Sequence, residues 1–321
     1  MTERRAPRVS VVMAVRNGER YLAHAIESIL SQRLADLELV VIDDGSTDRS
    51  AAIVAGFGDA RVRLLSNGSR AGLATSLNRG VSAARGQLVA RLDADDVAAP
   101  ERLARQVEFL DAHSHVALVG SWYIEIDAEG RDRARHRLPI EHWDLRWHLC
   151  LYSPFVHSAV MWRRELVADR VGAYDERLAY SMDFDLWRRI ANTLPVANVP
   201  EYLVRVRSHP GSMTATYGEP TREGMRLRAL YAARLLGWTA AAEAASLRLD
   251  RLYRLLASTP RESFGSQWLR DARELLRLHA AFVAAEGVPS QVAARQRHAI
   301  VAGIVRRLGR ALLPGPARPA A

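Results

Sequence analysis

Carboxylates are concentrated at two points of the sequence, each directly after a short apolar run. Asp43-Asp44 ends one run, and Asp93-Ala94-Asp95-Asp96 ends another. Acids that crowd together repel one another unless a cation or hydrogen-bond donors offset their charge. Oxygen ligands suit Mg²⁺ or Mn²⁺, and these hard cations commonly share their coordination with substrate phosphates. The pattern therefore indicates a metal-assisted site for a diphosphate; the alternative is that these acids cap helices or face water.

The first half of the chain alternates strand-like and helix-like segments. We predict strands over residues 9–15, 37–42, 62–65 and 87–92, and helices over 19–32, 47–57, 72–84 and 100–113. Short connections between alternating strands and helices are typical of a parallel sheet that helices cover on both faces. Ligands of such sheets lie beyond the carboxyl ends of the strands, so both acidic clusters are expected at one edge.

The second half departs from this alternation. An aromatic-bearing strand over 116–127 turns near Glu129-Gly130, which indicates an antiparallel addition to the sheet. A helix begins near Met182, a strand follows over 196–206, and 208–219 is a loop rich in Gly, Pro, Ser and Thr. We predict an α/β fold with a mixed, mostly parallel sheet over 1–219. A basic helical region over 220–313 and a disordered tail over 314–321 follow it.

Composition and charge narrow the classes of protein. With 49% hydrophobic and 25% charged residues, the 321-residue chain is neither fibrous nor wholly disordered, and its one cysteine, Cys150, excludes an intrachain disulfide. The chain has no lysine, and from residue 220 onward 17 arginines accompany only seven acids. Because no helix-turn-helix or finger pattern accompanies this charge, we expect no nucleic-acid partner.

The sequence also bears on location. No window approaches the roughly 18 apolar residues that a spanning helix needs, so we expect a cytoplasmic protein. Near the end an apolar stripe lies opposite arginines: Ile300, Val301, Ile304, Val305, Leu308 and Leu312 against Arg295, Arg306 and Arg310. This amphipathic basic helix either packs on the core or docks on the inner face of the cytoplasmic membrane.

Four segments, in this order, resemble family 2 glycosyltransferases of the GT-A fold. They are 9–32 (VSVVMAVRNGERYLAHAIESILSQ), 39–50 (LVVIDDGSTDRS), 70–96 (RAGLATSLNRGVSAARGQLVARLDADD) and 172–188 (GAYDERLAYSMDFDLWR). The resemblance covers residues 8–215. It implies the Rossmann-like fold of nucleotide-diphospho-sugar transferases, and transfer of a sugar from a nucleoside diphosphate with inversion, usually with Mg²⁺ or Mn²⁺.

The resemblance also implies which residues bind the donor. Asp44 corresponds to the residue that hydrogen-bonds the nucleobase, and the backbone of Ala14, Val15 and Arg16 lines the same pocket. A carboxylate that accepts from a ring N–H suits uracil or thymine, so UDP- or dTDP-sugars are favoured. Arg70 matches a basic position near the nucleotide, where a guanidinium suits phosphate oxygens. The alternative for Arg70 is a solvated surface side chain.

The second acidic cluster matches the family's DXD motif. In that motif Asp95 binds the metal, Asp93 contacts ribose or a metal-bound water, and Asp96 orients the others. His209 resembles a histidine that reaches the metal or diphosphate from a mobile loop, here 208–219, which closes over the donor. The alternative for His209 is a surface or packing role.

The catalytic base is the last implied role. Asp183 aligns with the Asp of the family's Glu-Asp pair, whereas Met182 occupies the Glu position and weakens inferences about the acceptor site. Asp185, two residues further along the helix, points to a different face. His157 lies in a segment that resembles the acceptor side.

The QXXRW motif of processive synthases is absent, so a single transfer to a glycan or lipid-linked glycan hydroxyl is expected. Synthesis of cell-envelope or extracellular polysaccharide would use such a transfer. Two alternatives remain at this point: a non-catalytic sugar-nucleotide-binding protein, which Met182 makes credible, and a nucleotidyltransferase, against which the absence of a Gly-rich, Lys-bearing phosphate loop counts.

Overall fold

A computed structural model describes residues 6–212, 222–236, 252 and 266–312. The chain divides into two compact units, one comprising Met1–Arg146 with Ser153–Thr221 and the other Trp147–Tyr152 with Arg222–Ala321. No sequence pattern indicated that the short segment Trp147–Tyr152 groups with the C-terminal helices. The predicted tail, 314–321, lies outside the described residues.

The strands of the first unit form one mixed sheet. They are β1 (Val9–Val15), β2 (Leu37–Asp43), β3 (Val62–Ser66), β4 (Leu88–Arg91), β5 (Val97–Ala98), β6 (Leu118–Ile126), β7 (Asp132–His136), β8 (Met161–Arg163) and β9 (Val196–Arg207). Their order is β3-β2-β1-β4-β8-β6-β9-β5, with β7 beside β6. The pairs that involve β5, β7 or β8 are antiparallel and the others are parallel.

Helices alternate with the first strands, as the sequence predicts. The helices of the described ranges are α1 (Leu22–Leu30), α2 (Ser50–Gly56), α3 (Leu73–Ala83), α4 (Arg102–Ala112), α5 (His142–His148), α6 (Arg164–Arg170), α7 (Met182–Thr193), α8 (Arg222–Leu236), α9 (Ser266–Glu286) and α10 (Ser290–Leu312). α4 begins two residues after the predicted Pro100, because the Arg102 N–H closes a turn onto the Ala99 carbonyl.

The core explains the uninterrupted apolar runs of the sequence. Every residue of β1 and β2 is buried, since helices such as α1 cover the sheet with Leu22, Ile26 and Ile29. Burying side chains of this size contributes about 1.5–3 kcal/mol each to stability. The parallel half of the sheet is therefore a rigid platform whose strand ends position the loops that follow.

One carboxylate is buried within this platform. Glu38 of β2 accepts hydrogen bonds from Ser10 Oγ at 2.6 Å, Arg63 Nη1 at 2.8 Å and Arg85 Nη2 at 2.7 Å. Burial alone would raise the pKa of Glu38, but these donors outweigh it and lower that pKa to about 2. Glu38 is a structural ion pair that links β2 to the segment before β4.

The second unit is helical in its described part. Arg228 Nη1 of α8 donates to the Leu151 carbonyl at 2.7 Å, which ties the segment Trp147–Tyr152 to these helices. On α10, Ile300 is buried whereas Val301 and Val305 are exposed. For Arg306, Leu308, Arg310 and Leu312 the structure describes the helical backbone and not the side chains. None of the helices in the described ranges is both long enough and apolar enough to cross a bilayer.

Candidate active site

The ends of β1 and β2 bring the predicted nucleotide residues together. Val15 and Asp43 are cross-strand neighbours, and the Asp44 N–H donates to the Val15 carbonyl at 2.9 Å. The segment Ala14–Arg16 therefore lies directly beside Asp44. This adjacency follows from the parallel register of the two strands.

The carboxylate of Asp44 anchors the loop 67–72. Its Oδ1 accepts from the Ala71 N–H at 2.7 Å and from Asn67 Nδ2 at 2.9 Å, and its Oδ2 accepts from the Gly72 N–H at 3.1 Å. Burial would raise the pKa of Asp44, but these hydrogen bonds hold that pKa below its usual value. Asp44 is thus ionised, and it fixes the loop 67–72 against the end of β2.

Gly45 lets the same loop approach the end of β2. Gly45 has φ +70°, and a Cβ at this position would lie 2.7 Å from the Ser69 carbonyl carbon and 2.8 Å from the Arg70 nitrogen. Only glycine accommodates both this backbone conformation and this contact. The Arg70 side chain is exposed, so its role on a phosphate stays a prediction.

Asp93 is held by two residues that the sequence did not indicate. The fully buried Arg91 forms an ion pair with Asp93 Oδ1. Ser158 Oγ accepts from the Asp93 N–H at 2.9 Å and donates to Asp93 Oδ2 at 2.8 Å. Although burial would raise the pKa of Asp93, the charge of Arg91 lowers it below its usual value. The first acid of the DXD motif is therefore ionised and fixed by the protein.

Asp95 and His209 meet, as the sequence predicts for metal ligands. His209 Nε2 lies 3.0 Å from Asp95 Oδ2, and His209 Nδ1 accepts from the Gly211 N–H at 3.2 Å. Because Nδ1 is an acceptor, Nε2 carries the proton and donates to Asp95. The part of the loop beyond Ser212 that was predicted to close over the donor, 213–219, lies outside the described residues.

The other two acids are less easily ionised. Burial raises the pKa of Asp95, and the charge of Asp93 adds to this rise while His209 opposes it. Burial also raises the pKa of Asp96 well above its usual value, with Asp95 and Asp93 adding to it. Asp96 Oδ1 accepts from the Arg207 N–H at 2.7 Å. This hydrogen bond ties Asp96 to the end of β9, and its predicted role of orienting the other acids stays a prediction.

These residues fit a divalent cation. Within the described ranges no three side chains of metal-ligating type come together, so the protein offers the pair Asp95 and His209. Mg²⁺ and Mn²⁺ sites commonly combine one or two protein groups with substrate phosphates and waters. A cation at this pair would also offset the repulsion that raises the pKa values of Asp95 and Asp96.

Tyr21 and Arg207 pack against Asp95 and His209. The Tyr21 ring centroid lies 4.5 Å from Arg207 Cζ and 4.9 Å from the His209 ring centroid. Arg207 Nε donates to the Asp95 carbonyl at 2.8 Å. Both residues therefore hold Asp95 and His209 in place through packing and backbone contacts.

The start of α7 presents the predicted base. Met182 is buried as the first residue of α7, and Asp183 follows it in the first turn, where its Oδ1 accepts from the Phe184 N–H at 2.7 Å. Asp185 instead forms ion pairs with Arg189 at 2.7 Å and Arg188 at 3.1 Å. Asp185 is therefore a structural residue, and the role of Asp183 as the base stays a prediction.

His157 lies beside the first acid of the DXD motif. Its Nδ1 is 3.9 Å from Asp93 Oδ2, and its Nε2 is 3.1 Å from the Tyr174 hydroxyl. Burial, assisted by the charge of Arg91, lowers the pKa of His157 to about 3, so the imidazole is neutral. The structure therefore brings His157, which the sequence assigned to the acceptor side, next to the donor side.

Sequence reasoning missed several residues that complete the site. They are Tyr21, Arg91, Ser158, Tyr174 and Arg207. A charged residue inside the otherwise apolar strand β4 was a readable signal for Arg91, because such a residue needs a buried partner. The others are joined to the site by contacts between residues distant in sequence, which no local pattern announces.

Comparison with known proteins identifies the class. Residues 10–171 match the sequence family described as Glycosyl transferase family 2. The putative glycosyltransferase EpsE of Bacillus subtilis is 37% identical over 207 residues, which are 63% of this chain and 73% of EpsE. The amylovoran biosynthesis glycosyltransferase AmsE of Erwinia amylovora is 33% identical over 204 residues, 62% of this chain and 76% of AmsE. The protein is a glycosyltransferase.

The chain belongs to glycosyl transferase family 2, which confirms the resemblance of its motifs. Solved structures confirm the predicted GT-A fold. S. aureus TarS 1–349 in complex with UDP-GlcNAc aligns with a TM-score of 0.58 at 18% identity, over 94% of this chain and 89% of TarS 1–349. The mannosyltransferase PcManGT of Pyrobaculum calidifontis in complex with GDP-Man and Mn²⁺ aligns with a TM-score of 0.51 at 20% identity, over 94% and 87%.

Proposed function

We propose that this glycosyltransferase moves one sugar from a UDP- or dTDP-sugar to a hydroxyl of a glycan or lipid-linked glycan, with inversion and with Mg²⁺ or Mn²⁺. The observation that carries this proposal is the position of Asp44 after β2 and of Asp93 and the Asp95–His209 pair after β4, at the same edge of the parallel strands. Synthesis of an envelope or extracellular polysaccharide is the proposed context, which the name of the relative AmsE supports.

The nucleotide would bind at the ends of β1 and β2. Asp44 Oδ2 accepts the Gly72 N–H at 3.1 Å, and a carboxylate oxygen has capacity for a further donor. The ring N–H of uracil or thymine is a donor of this kind. The complex of TarS with UDP-GlcNAc supports the same nucleotide class.

The diphosphate would bind near Asp95. Asp95 Oδ2 and His209 Nε2 would hold Mg²⁺ or Mn²⁺, which, when bound, neutralises charge on the leaving diphosphate. For this the His209 proton would move from Nε2 to Nδ1, with loss of the hydrogen bond from the Gly211 N–H. Arg70, exposed in the loop 67–72, would pair with phosphate oxygens. Asp93, fixed by Arg91 and Ser158, would receive the ribose or a bound water.

Asp183 would take the proton of the acceptor hydroxyl. The hydroxyl oxygen attacks the anomeric carbon from the face opposite the leaving diphosphate, so one displacement inverts the configuration. Asp is a weak base, with an ordinary pKa of about 3.9, but formation of the C–O bond acidifies the hydroxyl as the proton leaves. Because Met182 is apolar and buried, Asp183 would act without the neighbouring carboxylate that the family usually has.

The experiment combines ligand stabilisation with product detection. Melting temperature is measured with UDP-, dTDP-, GDP- and CMP-sugars, with and without Mn²⁺, because a ligand that binds the native state raises it. We expect one nucleotide class to stabilise the protein only with metal, and Asp95→Asn to abolish this shift. Asp59→Asn is the control, since Asp59 pairs only with its neighbour Arg61 in the described contacts.

Turnover then tests the base. With the selected donor and a panel of glycan and polyprenyl-linked acceptors, Asp183→Asn should reduce nucleoside diphosphate release about 10²–10⁴-fold while the metal-dependent melting shift persists. The anomeric configuration of the product, read by NMR, should be opposite to that of the donor. Retained configuration, or full turnover by Asp183→Asn, would refute the proposed mechanism.

We also propose a peripheral contact of α10 with the inner face of the cytoplasmic membrane. Val301 and Val305 are exposed four residues apart, so they share one face of the helix, and the nearby Arg297 is exposed as well. Such a face suits anionic lipid surfaces. Sedimentation with phosphatidylglycerol vesicles should pull down the wild type and lose Val301→Asp/Val305→Asp; equal sedimentation of both would refute the contact.

A further inference from the structure

A buried tyrosine joins the donor side of the site to its acceptor side. The Tyr174 hydroxyl lies 3.1 Å from His157 Nε2, and His157 Nδ1 lies 3.9 Å from Asp93 Oδ2. Burial raises the pKa of Tyr174 far above its usual range, and the negative charges of Asp183 and Asp93 add to this rise. Both carboxylates therefore act on the same phenol.

The backbone of Tyr174 is clamped by α3. Asn78 Oδ1 accepts from the Tyr174 N–H at 3.0 Å, and Asn78 Nδ2 donates to the Tyr174 carbonyl at 3.0 Å. Asn78 Nδ2 also donates to Glu176 Oε1 at 2.8 Å, and Thr75 Oγ1 donates to Glu176 Oε2 at 2.9 Å. Since α3 directly follows the loop 67–72 that Asp44 anchors, this loop and the backbone of Tyr174 are both attached to the same helix.

The ring of Tyr174 packs on the helix that carries the base. Trp187 is fully buried, and its ring centroid lies 6.1 Å from that of Tyr174 and 6.0 Å from that of His157. Trp187 follows Asp183 by four residues, so the two side chains project from the same face of α7. A displacement of Tyr174 or His157 would therefore shift Trp187 and, with it, the first turn of α7 that bears Asp183.

The pair is neutral, which suits a positioning role. With the pKa of His157 at about 3 and that of Tyr174 raised, neither group carries charge near pH 7. Because His157 Nδ1 faces the ionised Asp93, the tautomer of His157 with its proton on Nδ1 suits this geometry. Its Nε2 would then accept the Tyr174 O–H. Neither group then competes with Asp183 for the acceptor proton.

We infer that Tyr174 is a positioning residue for the transfer reaction. Its hydroxyl orients His157 against Asp93, while its ring fixes the face of α7 that bears Asp183, so the donor and the acceptor hydroxyl are held in reacting geometry. This inference rests on the proposed role of Asp183 as base. Misplacement of reacting groups by about 1 Å can cost on the order of 100-fold in rate.

The first test removes the hydroxyl and keeps the ring. Tyr174→Phe should lower kcat for UDP release from UDP-GlcNAc, with Mn²⁺ and with water or added glycans as acceptor, by about 10–100-fold. The KM for UDP-GlcNAc should stay within about twofold of the wild-type value, because the substitution does not touch Asp44 or the loop 67–72. Tyr202→Phe is the matched control, since the Tyr202 hydroxyl accepts from Arg137 Nε at 3.2 Å, in a contact outside the site.

A double variant separates positioning from packing. If Tyr174 acts through His157, the variant Tyr174→Phe/His157→Gln should lose no more activity than the more impaired single variant. Additive losses, an unchanged kcat in Tyr174→Phe, or a fall in kcat matched by a lower melting temperature would each overturn the inference.

A spectroscopic test needs no turnover. The ¹⁵N shifts of the His157 ring in the ligand-free protein should show an Nδ1–H tautomer with Nε2 as a hydrogen-bond acceptor, and Tyr174→Phe should shift the Nε2 signal. If the wild type releases no UDP from UDP-GlcNAc, the turnover test is made with the donor that the melting measurements select, and the ring shifts still decide whether the pair exists. An Nε2 signal that is identical in both proteins would overturn it.

Discussion

Gly45 offers a measurement of how tightly the nucleotide loop is built onto the sheet. In Gly45→Ala the new Cβ would lie 2.7 Å from the Ser69 carbonyl carbon and 2.8 Å from the Arg70 nitrogen, so the loop backbone must move. Gly58 has a similar backbone conformation, φ +59° against +70°, but a Cβ there meets nothing within 4 Å. The two substitutions share the cost of a left-handed alanine and differ in the collision.

The magnitudes follow from that difference. A left-handed alanine costs about 1–2 kcal/mol in both variants, and forcing atoms into a packed site adds about 1–3 kcal/mol in Gly45→Ala. Because about 1 kcal/mol corresponds to roughly 2–4 °C in a unit of this size, Gly45→Ala should melt about 2–12 °C below Gly58→Ala. Displacing the loop also disturbs the Ala71 and Gly72 donors to Asp44, so UDP should bind more weakly.

The assays are differential scanning fluorimetry for stability and titration calorimetry with UDP and Mn²⁺ for binding. Gly58→Ala should bind UDP as the wild type does. Equal melting temperatures of the two variants would refute the steric reasoning. A lower melting temperature of Gly45→Ala with unchanged UDP affinity would show that the loop 67–72 does not shape the nucleotide pocket.

Two further predictions concern buried carboxylates. The pKa of Glu38 falls from 4.5 to about 2 on folding, so its ionised form stabilises the fold by about 3 kcal/mol above pH 4.5, and this is lost as the pH falls toward 2. The melting temperature of Glu38→Gln should therefore lie below that of the wild type at pH 7, and the gap should narrow from pH 4.5 to 3; a constant gap would contradict this. Asp44→Asn places an amide where Gly72 and Ala71 donate, so melting temperature and UDP affinity should both fall, whereas Asp59→Asn should change neither; intact UDP affinity in Asp44→Asn would count against the proposed nucleotide site.

The fold was predictable because local and global signals agree in the first half of the chain. Uninterrupted apolar runs such as 9–15 are typical of strands buried on both faces, and β1 and β2 are buried along their whole length. The acids after these strands were also readable, since a parallel sheet brings strand ends together. The turn at Glu129-Gly130 likewise forms, with φ +84° at Gly130 between β6 and β7.

The rest of the site depends on contacts that sequence patterns do not encode. Ser158 meets Asp93 across 65 positions, Arg207 meets Asp95 across 112, and Asn78 meets Tyr174 across 96. None of these residues belongs to a periodic pattern or a dense polar cluster. The roles of Ser158 and Arg207 follow from how the later chain returns to the sheet, through β8, which is antiparallel to β4, and β9, which is parallel to β6. No local spacing specifies these pairings.

The electrostatics of the cluster indicate why the second acid of the DXD motif, and not the first, is left for a cation. Arg91 neutralises Asp93 from inside the sheet. Two further buried guanidinium groups lie nearby. That of Arg207 donates to the carbonyl oxygens of Asp95, Asp127 and Ala128, and that of Arg102 donates to the carbonyl oxygens of Arg91 and Val160.

Among the described side chains, His209 is the one that donates to the Asp95 carboxylate, while burial and the charge of Asp93 raise the pKa of Asp95. A cation bound between Asp95 and His209 would therefore gain the largest electrostatic stabilisation, because no arginine is paired with the Asp95 carboxylate among the described ion pairs. In the proposed metal site, the buried Arg91 at the end of β4 would thus leave Asp95, rather than Asp93, to bind the divalent ion.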